Sequence, residues 1–131
     1  MNKFLFIPIF ILAVLACKKL EFSPEGPTDV RVRNLTNVAF NEVIVNTSGG
    51  IDTLGNISPG GLSEYKRFDK AFIKAEISAT VNGQLYSTGA VNYNGLTYIG
   101  QAKITYEVWI SDDNNKKLDL EVFYPLDGPL D

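Results

Sequence analysis

The chain has 131 residues, of which 45% are hydrophobic and 21% are charged, and its formal net charge is -3. This length is typical of one domain, and the balanced composition excludes collagen, coiled coil and bulk disorder. With one cysteine and no histidine, the chain cannot form an internal disulfide, the usual Cys/His zinc site or a histidine-based catalytic triad. Because no basic stripe accompanies the slightly acidic charge, we expect no nucleic-acid partner.

An apolar segment opens the chain. Lys3 supplies a basic start, and the apolar run from Phe4 to Ala16 is interrupted only by Pro8. At about 1.5 Å per residue this run is shorter than a bilayer core of about 30 Å, so residues 1–16 are predicted to be a signal peptide rather than a transmembrane helix. An ordinary secretory signal and a buried N-terminal helix are the alternatives to a lipoprotein signal.

The only cysteine follows this segment directly. The stretch Val14-Leu15-Ala16-Cys17 resembles the lipobox of small bacterial lipoproteins of the Bacteroidota type. The resemblance implies signal cleavage after Ala16, a diacylglycerol on the Cys17 sulfur and a further acyl chain such as palmitate on the new amino group. Several acyl chains are required for stable attachment, because each methylene group buried in the membrane contributes only about 0.8 kcal/mol to the free energy of binding. Membrane lipid is therefore an expected partner. Residue 18 is Lys rather than Asp, which by resemblance to the enterobacterial sorting rule implies the outer membrane as the expected location, on either face.

The segment after the cysteine has the composition of a tether. Residues 18–28 include two prolines and one glycine and have no hydrophobic period, which is typical of a flexible linker. We divide the chain into a signal peptide (1–16), the lipidated cysteine and tether (17–28), a β domain (29–124) and a C-terminal tail (125–131).

Most of the predicted domain alternates apolar and polar residues, which is the period of half-buried strands. Long alternating runs cover residues 73–81, 102–111 and 118–124, and shorter runs cover residues 30–33, 40–45 and 54–57. Asn82-Gly83 predicts a two-residue hairpin loop that pairs Val81 with Gln84. We also predict that Ile110 opposes Leu118, because a shift of one residue would place apolar against polar side chains along the whole ladder.

Residues 63–75 can be read in two ways. Ser63 could cap a helix, or two strands could meet at a corner near Asp69-Lys70, and the strict alternation from Ile73 onward favours the strands. The predicted fold class is therefore all-β, an antiparallel β-sandwich that is Ig-like or transthyretin-like, with about seven or eight strands. An open barrel and an α+β fold with a helix near residues 63–75 are the alternatives.

Two pairs of residues on the nominally polar face of the last hairpin are candidate site residues. Trp109 and Phe123 are aromatic and could form a protein- or glycan-binding patch, although a covering segment would explain them equally well. Glu107 and Glu121 are predicted to lie opposite one another, and glycosidases use two carboxyl groups about 5 to 10 Å apart. Because no other feature indicates a pocket, we assign no catalytic residue and expect no enzyme activity.

Three further motifs concern modification and metals. Asp52-Thr53-Leu54 resembles the O-glycosylation acceptor of Bacteroidota proteins, which makes Thr53 a candidate acceptor. Asn34-Leu35-Thr36 matches an N-glycosylation sequon, which matters only in a eukaryotic secretory pathway. The run from Asp112 to Asn115 resembles half of a calcium loop but lacks the glycine and the distal glutamate, so we expect a solvated turn and no metal. Without a phosphate-binding glycine loop, we expect no cofactor.

The sequence therefore predicts a lipid-anchored lipoprotein of the cell envelope that serves as a non-enzymatic binding or structural module. Its partner would be a protein or a glycan, and its oligomeric state is left open. One alternative is an immunity- or inhibitor-like accessory protein that acts through a sheet face. The other is an envelope hydrolase that uses Glu107 and Glu121.

Overall fold

Strands make up all of the regular structure in the described part of the chain. The computed structural model describes residues 26–123 and 126–130, so the predicted signal peptide, Ala16, Cys17 and most of the tether lie outside the described residues, as do Tyr124 and Asp131. The strands are β1 (Thr28–Asn34), β2 (Phe40–Asn46), β3 (Ile51–Ile57), β4 (Lys66–Phe68), β5 (Glu76–Val81), β6 (Gln84–Ser87), β7 (Ala102–Asp112), β8 (Lys117–Val122) and β9 (Gly128–Pro129). The all-β prediction is confirmed.

The strands form one mixed sheet. Eight of them follow the order β3-β2-β5-β6-β8-β7-β1-β4, and the short β9 pairs with β7. The sheet curls so that its two edge strands, β3 and β4, approach each other. A hydrogen bond joins the two edges: the Asp69 amide after β4 donates to the Gly49 carbonyl before β3 at 3.2 Å. The expectation of a purely antiparallel sheet is wrong, since β1 pairs with β7, and β6 with β8, in parallel. These pairings join segments that are distant in sequence. The expectation failed because the alternation of apolar and polar residues identifies a strand but does not indicate which strand pairs with it.

The hairpin between β5 and β6 follows from its turn residues. Asn82 and Gly83 have φ values of 50° and 79°, and positive φ at both positions produces the tight turn that matches the twist of the flanking strands. The predicted pairing of Val81 with Gln84 is confirmed, and Ala79 consequently pairs with Tyr86.

The hairpin between β7 and β8 has the predicted register and a different loop. Ile110 pairs with Leu118, so the apolar residues of both strands share one face. The ladder then shifts, because Asp112 pairs with Lys117 and leaves one extra residue on β7 as a bulge. The predicted register, continued to the end of the ladder, would leave a loop of three residues, 113–115. The bulge makes it four residues, 113–116, and the positive φ of 56° falls on Lys116.

Residues 63–75 contain no helix. The predicted corner is present, because β4 ends at Phe68 and the chain bends at Asp69, but the following strand begins only at Glu76. Ile73 was expected to point inward and is 42% exposed. The intervening segment is held by other contacts, including the hydrogen bond that the Tyr106 hydroxyl donates to the Phe72 carbonyl.

The core lies inside the curled sheet and is built by the inward-facing residues of most strands. Alternation in β5 and β8 places every second residue in this core. Fully buried members, with relative exposure below 2%, include Val30, Val32, Phe40, Val43, Val45, Ile77, Ile104, Tyr106 and Val108.

One polar side chain is buried with this core at the end of β1. Asn34 is fully buried, and its amide nitrogen donates to the Val38 and Ile57 carbonyls at 2.7 Å and 3.3 Å. Its Oδ1 accepts from the Thr36 amide and hydroxyl at 2.9 Å and 2.6 Å. Because every polar atom of this amide has a partner, Asn34 closes the turn after β1 and ties it to the end of β3. The acceptor asparagine of its sequon is therefore buried.

Candidate functional site

The two predicted carboxylates lie side by side on the outer face of the last hairpin. Glu107 of β7 pairs directly with Glu121 of β8, and both point away from the core because Tyr106 and Val108 point into it. β1 runs parallel to β7 and places Arg33 opposite Glu107, where the guanidinium Nε lies 3.6 Å from the carboxylate. Within the described residues Glu121 has no ion-pair partner. In the described part of the chain, one carboxylate of the pair therefore has a cation within 4.0 Å and the other has none.

Trp109 and Phe123 share this face but do not form one continuous patch. Trp109 is half-buried opposite Asp119, and Phe123 is 47% exposed. At about 3.3 Å per residue, Asp119 and Phe123 lie about 13 Å apart along β8. The Glu107–Glu121 row lies between them, so the two aromatic side chains flank the carboxylates.

A groove of about 530 Å³ lies beside Phe123, and we call it the β8 groove. It is lined by Ile73, Lys74, Glu107, Leu120, Glu121, Val122 and Phe123. Its volume falls in the range of about 300 to 1,000 Å³ that is usual for ligand sites. The structure therefore brings Phe123 together with both predicted carboxylates and leaves Trp109 outside the groove.

Part of the groove lining was not predicted from the sequence. Ile73 and Lys74 belong to the irregular segment that precedes β5, and the alternating pattern of residues 73–81 placed Ile73 with the core-facing residues. Among the described residues, β6 pairs with β8 only at Ser87 and Lys117, so the rest of β8 is paired on one side only, by β7. A second groove of about 360 Å³ continues past Lys74 and Leu120 toward Asp119.

A second polar cluster lies on the outer face of β7, β1 and β4, and it too was missed by sequence reasoning. Asp127 accepts hydrogen bonds from the Tyr65 and Thr105 hydroxyls at 2.7 Å and 2.6 Å, and the Arg31 guanidinium lies 3.6 Å away. Burial and the neighbouring Asp127 carboxylate raise the pKa of Tyr65. All of these groups satisfy one another, so the cluster fastens the C-terminal segment to the sheet instead of offering a site.

The remaining predicted sites are solvent-exposed. Thr53 is exposed on β3, an edge strand of the sheet, and its amide donates to the Asp52 carboxylate at 2.8 Å.

In the β7–β8 turn, the Asn115 side chain donates to the Asp112 carboxylate at 2.6 Å, and this hydrogen bond lowers the pKa of Asp112. No group of three or more acidic, cysteine or histidine side chains is arranged to hold a metal ion in residues 26–123 and 126–130.

The predicted lipidation residues, Ala16 and Cys17, lie outside the described residues. Among the residues that the structure describes, no helix is long and apolar enough to span a membrane.

Comparison with known proteins places few limits on function. No family model and no curated protein matches the chain. Among solved structures, the chain is similar to a protein from Eubacterium rectale determined by NMR, with 17% sequence identity and a TM-score of 0.45. The match covers 80% of this chain and 94% of the other. We take no functional argument from this likeness.

Proposed function

We propose that the chain is a lipid-anchored, non-enzymatic binding module of the cell envelope, attached to the outer membrane through acylated Cys17. The support for the anchor is the stretch Val14-Leu15-Ala16-Cys17, which contains the only cysteine in the sequence. β1 begins at Thr28, so ten residues separate Cys17 from the sheet, with a maximum reach of about 36 Å. This length would let the domain contact partners near the membrane surface.

The observation that carries the binding role is the β8 groove. An exposed aromatic side chain, Phe123, borders a concave surface that also has an exposed aliphatic wall, Ile73. Large apolar side chains beside charged groups are typical of interaction surfaces. An immunity- or inhibitor-like accessory protein would use the same surface, so it is a special case of this proposal.

A hydrolase would require both glutamates to be available to a substrate. The ion pair between Arg33 and Glu107 would compete with a role for Glu107 in acid-base chemistry, and this is our reason for preferring a binding role. The contrary result would be turnover of an envelope polysaccharide or peptide that is lost in Glu121→Gln.

The finer description of the fold belongs to the same proposal. We propose the sandwich type, Ig-like or transthyretin-like, in which the two halves of the curled sheet would form the layers around one core, with an open barrel as the alternative. An experimental structure with two separable layers would support this assignment, and a fully closed barrel would contradict it.

The anchor is tested by Cys17→Ala. We expect the variant to leave the membrane fraction, because acyl chains provide the attachment. Mass spectrometry of the native protein should show cleavage after Ala16 and the added acyl mass. A Cys17→Ala protein that stays in the membrane fraction with the mass of an uncut chain would show that the lipidation proposal is wrong.

The binding role is tested by two matched substitutions of exposed apolar residues. Phe123→Ser changes the β8 groove, whereas Leu85→Ser changes a residue that is 67% exposed on β6. Partners would be captured from detergent-solubilised envelopes with full-length protein. We expect Phe123→Ser alone to abolish capture, with an unchanged circular dichroism spectrum. Equal capture by both variants would contradict a role for the groove, and unfolding of Trp109→Ala would identify Trp109 as a packing residue.

A further inference from the structure

The charges around the β8 groove are unevenly compensated. Glu107 and Glu121 lie opposite one another on adjacent strands, and like charges in this arrangement repel. Arg33 lies 3.6 Å from Glu107, while neither Glu121 nor Asp119 has an ion pair with any residue in the described part of the chain. Among the described residues, the outer face of β8 therefore presents two carboxylates that have no cation within 4.0 Å.

One cation also lines the groove. Lys74 is part of the same lining as Glu121, and among the described residues it forms no ion pair within 4.0 Å. Lys74 and Glu121 therefore share the groove without bridging each other. A charged group that enters the groove meets a carboxylate that attracts a cation and an ammonium that repels it.

The apolar parts of the groove complement the aliphatic stem of a long cationic side chain. Ile73 is 42% exposed and Phe123 is 47% exposed, and both line the groove. Lysine and arginine cover apolar surface with their methylene groups and keep the charged end with polar partners. An aromatic face also attracts a cation within about 6 Å.

We propose that the β8 groove binds a lysine or arginine side chain presented by a partner protein. The stem would pack on Ile73 and Phe123, and the cationic end would hydrogen-bond to the carboxylate of Glu121 beside Glu107. The inference rests on the proposed binding function and adds the chemistry of the partner. A basic protein surface is favoured over a neutral glycan, because a cation can form an ion pair with the Glu121 carboxylate, which has none among the described residues, and a hydroxyl group cannot.

The test uses the full-length lipidated protein in a neutral detergent. The probe is a heptalysine peptide, with heptaglutamine as the uncharged control, and binding is followed by amide shifts in NMR spectra. We expect heptalysine to shift the amides of Ile73 and Phe123 and heptaglutamine to shift neither. Raising the salt concentration from 50 mM to 500 mM should weaken binding, because exposed charges are screened.

Two substitutions that each remove a charge from the groove should change the affinity for heptalysine in opposite directions. Glu121→Gln should weaken heptalysine binding about threefold to fivefold, the size expected for a partly exposed ion pair. Lys74→Gln should strengthen it by a similar factor, because a repelling charge is removed. The control is Asp52→Asn, an exposed carboxylate on β3, which should leave the affinity unchanged.

The outcomes separate the partner chemistry from the binding role. If heptalysine does not bind, or if Lys74→Gln and Glu121→Gln weaken binding equally, the cationic partner is wrong. In that case, capture of an envelope partner that still depends on Phe123 leaves the binding function standing. Salt-independent binding of neutral oligosaccharides in this groove would identify a glycan and overturn the inference.

Discussion

Replacing Asn34 by Ala removes the polar side chain that closes the turn after β1. Two donated and two accepted hydrogen bonds are lost, and three of them have lengths of 2.6 to 2.9 Å. The fourth, to the Ile57 carbonyl, is longer at 3.3 Å. Because Asn34 is fully buried, water cannot readily take over these bonds, and the groups left behind lose their partners.

The magnitude follows from this geometry. A buried hydrogen bond contributes about 1 kcal/mol net, and a donor or acceptor that is left unsatisfied costs about 1 to 3 kcal/mol. Three good bonds and one weak bond predict that Asn34→Ala lowers the free energy of unfolding by about 3 kcal/mol. This is a large part of the stability of about 5 to 15 kcal/mol that is usual for a domain.

Urea denaturation followed by the fluorescence of Trp109, the single tryptophan, measures this loss. Asn37→Ala is the matched control, because Asn37 is exposed in the same turn, and it should change the free energy of unfolding by at most about 0.5 kcal/mol. An Asn34→Ala loss below about 1 kcal/mol, similar to that of the control, would refute the claim that these hydrogen bonds hold β1 to β3.

Three other changes have defined outcomes. Gly49→Ala would place its Cβ 2.6 Å from the backbone nitrogen and oxygen of Lys70, and we expect a loss of about 1 to 3 kcal/mol in thermal unfolding. Asn115→Ala removes the hydrogen bond that holds the pKa of Asp112 low, so the pKa measured by NMR titration should rise toward its ordinary value. The folded-state pKa of Tyr65 is raised, so its contribution to stability is present below the unfolded-state pKa of about 10 and is lost as pH rises through the folded-state pKa. Tyr65→Phe should make the fall in the free energy of unfolding above pH 10 less steep, and an unchanged slope would contradict this.

The sequence predicted those parts of the fold that depend on neighbouring residues. The turn at Asn82-Gly83 and the register of β7 and β8 follow from turn conformation and from the alternation of apolar side chains, and both are confirmed. Alternation was misleading at Ile73, because the apolar residue continues the pattern of β5 although the strand begins only at Glu76. A short apolar extension of a strand cannot be distinguished from the strand itself without knowing what packs on it.

The candidate site was predicted in part. The pairing of Glu107 with Glu121 and the outward direction of Phe123 follow from the register of one hairpin. The ion pair of Arg33 with Glu107 depends on the parallel pairing of β1 with β7, whose paired residues are more than seventy positions apart. No local pattern specifies such a pairing, because the partner of a strand is selected by the packing of the whole sheet.

By itself, the sequence determined that the domain is all-β and which residues of each hairpin face the core, and it is the sole basis of the proposed lipid anchor at Cys17. These properties are local, since they depend on residues within one strand, one turn or one short segment. The tertiary structure alone decided that the sheet is mixed and curled, and that Ile73 and Lys74 line the same groove as Phe123. These properties require segments distant in sequence to come together, and that arrangement is set by burial of the common core and by buried polar residues such as Asn34.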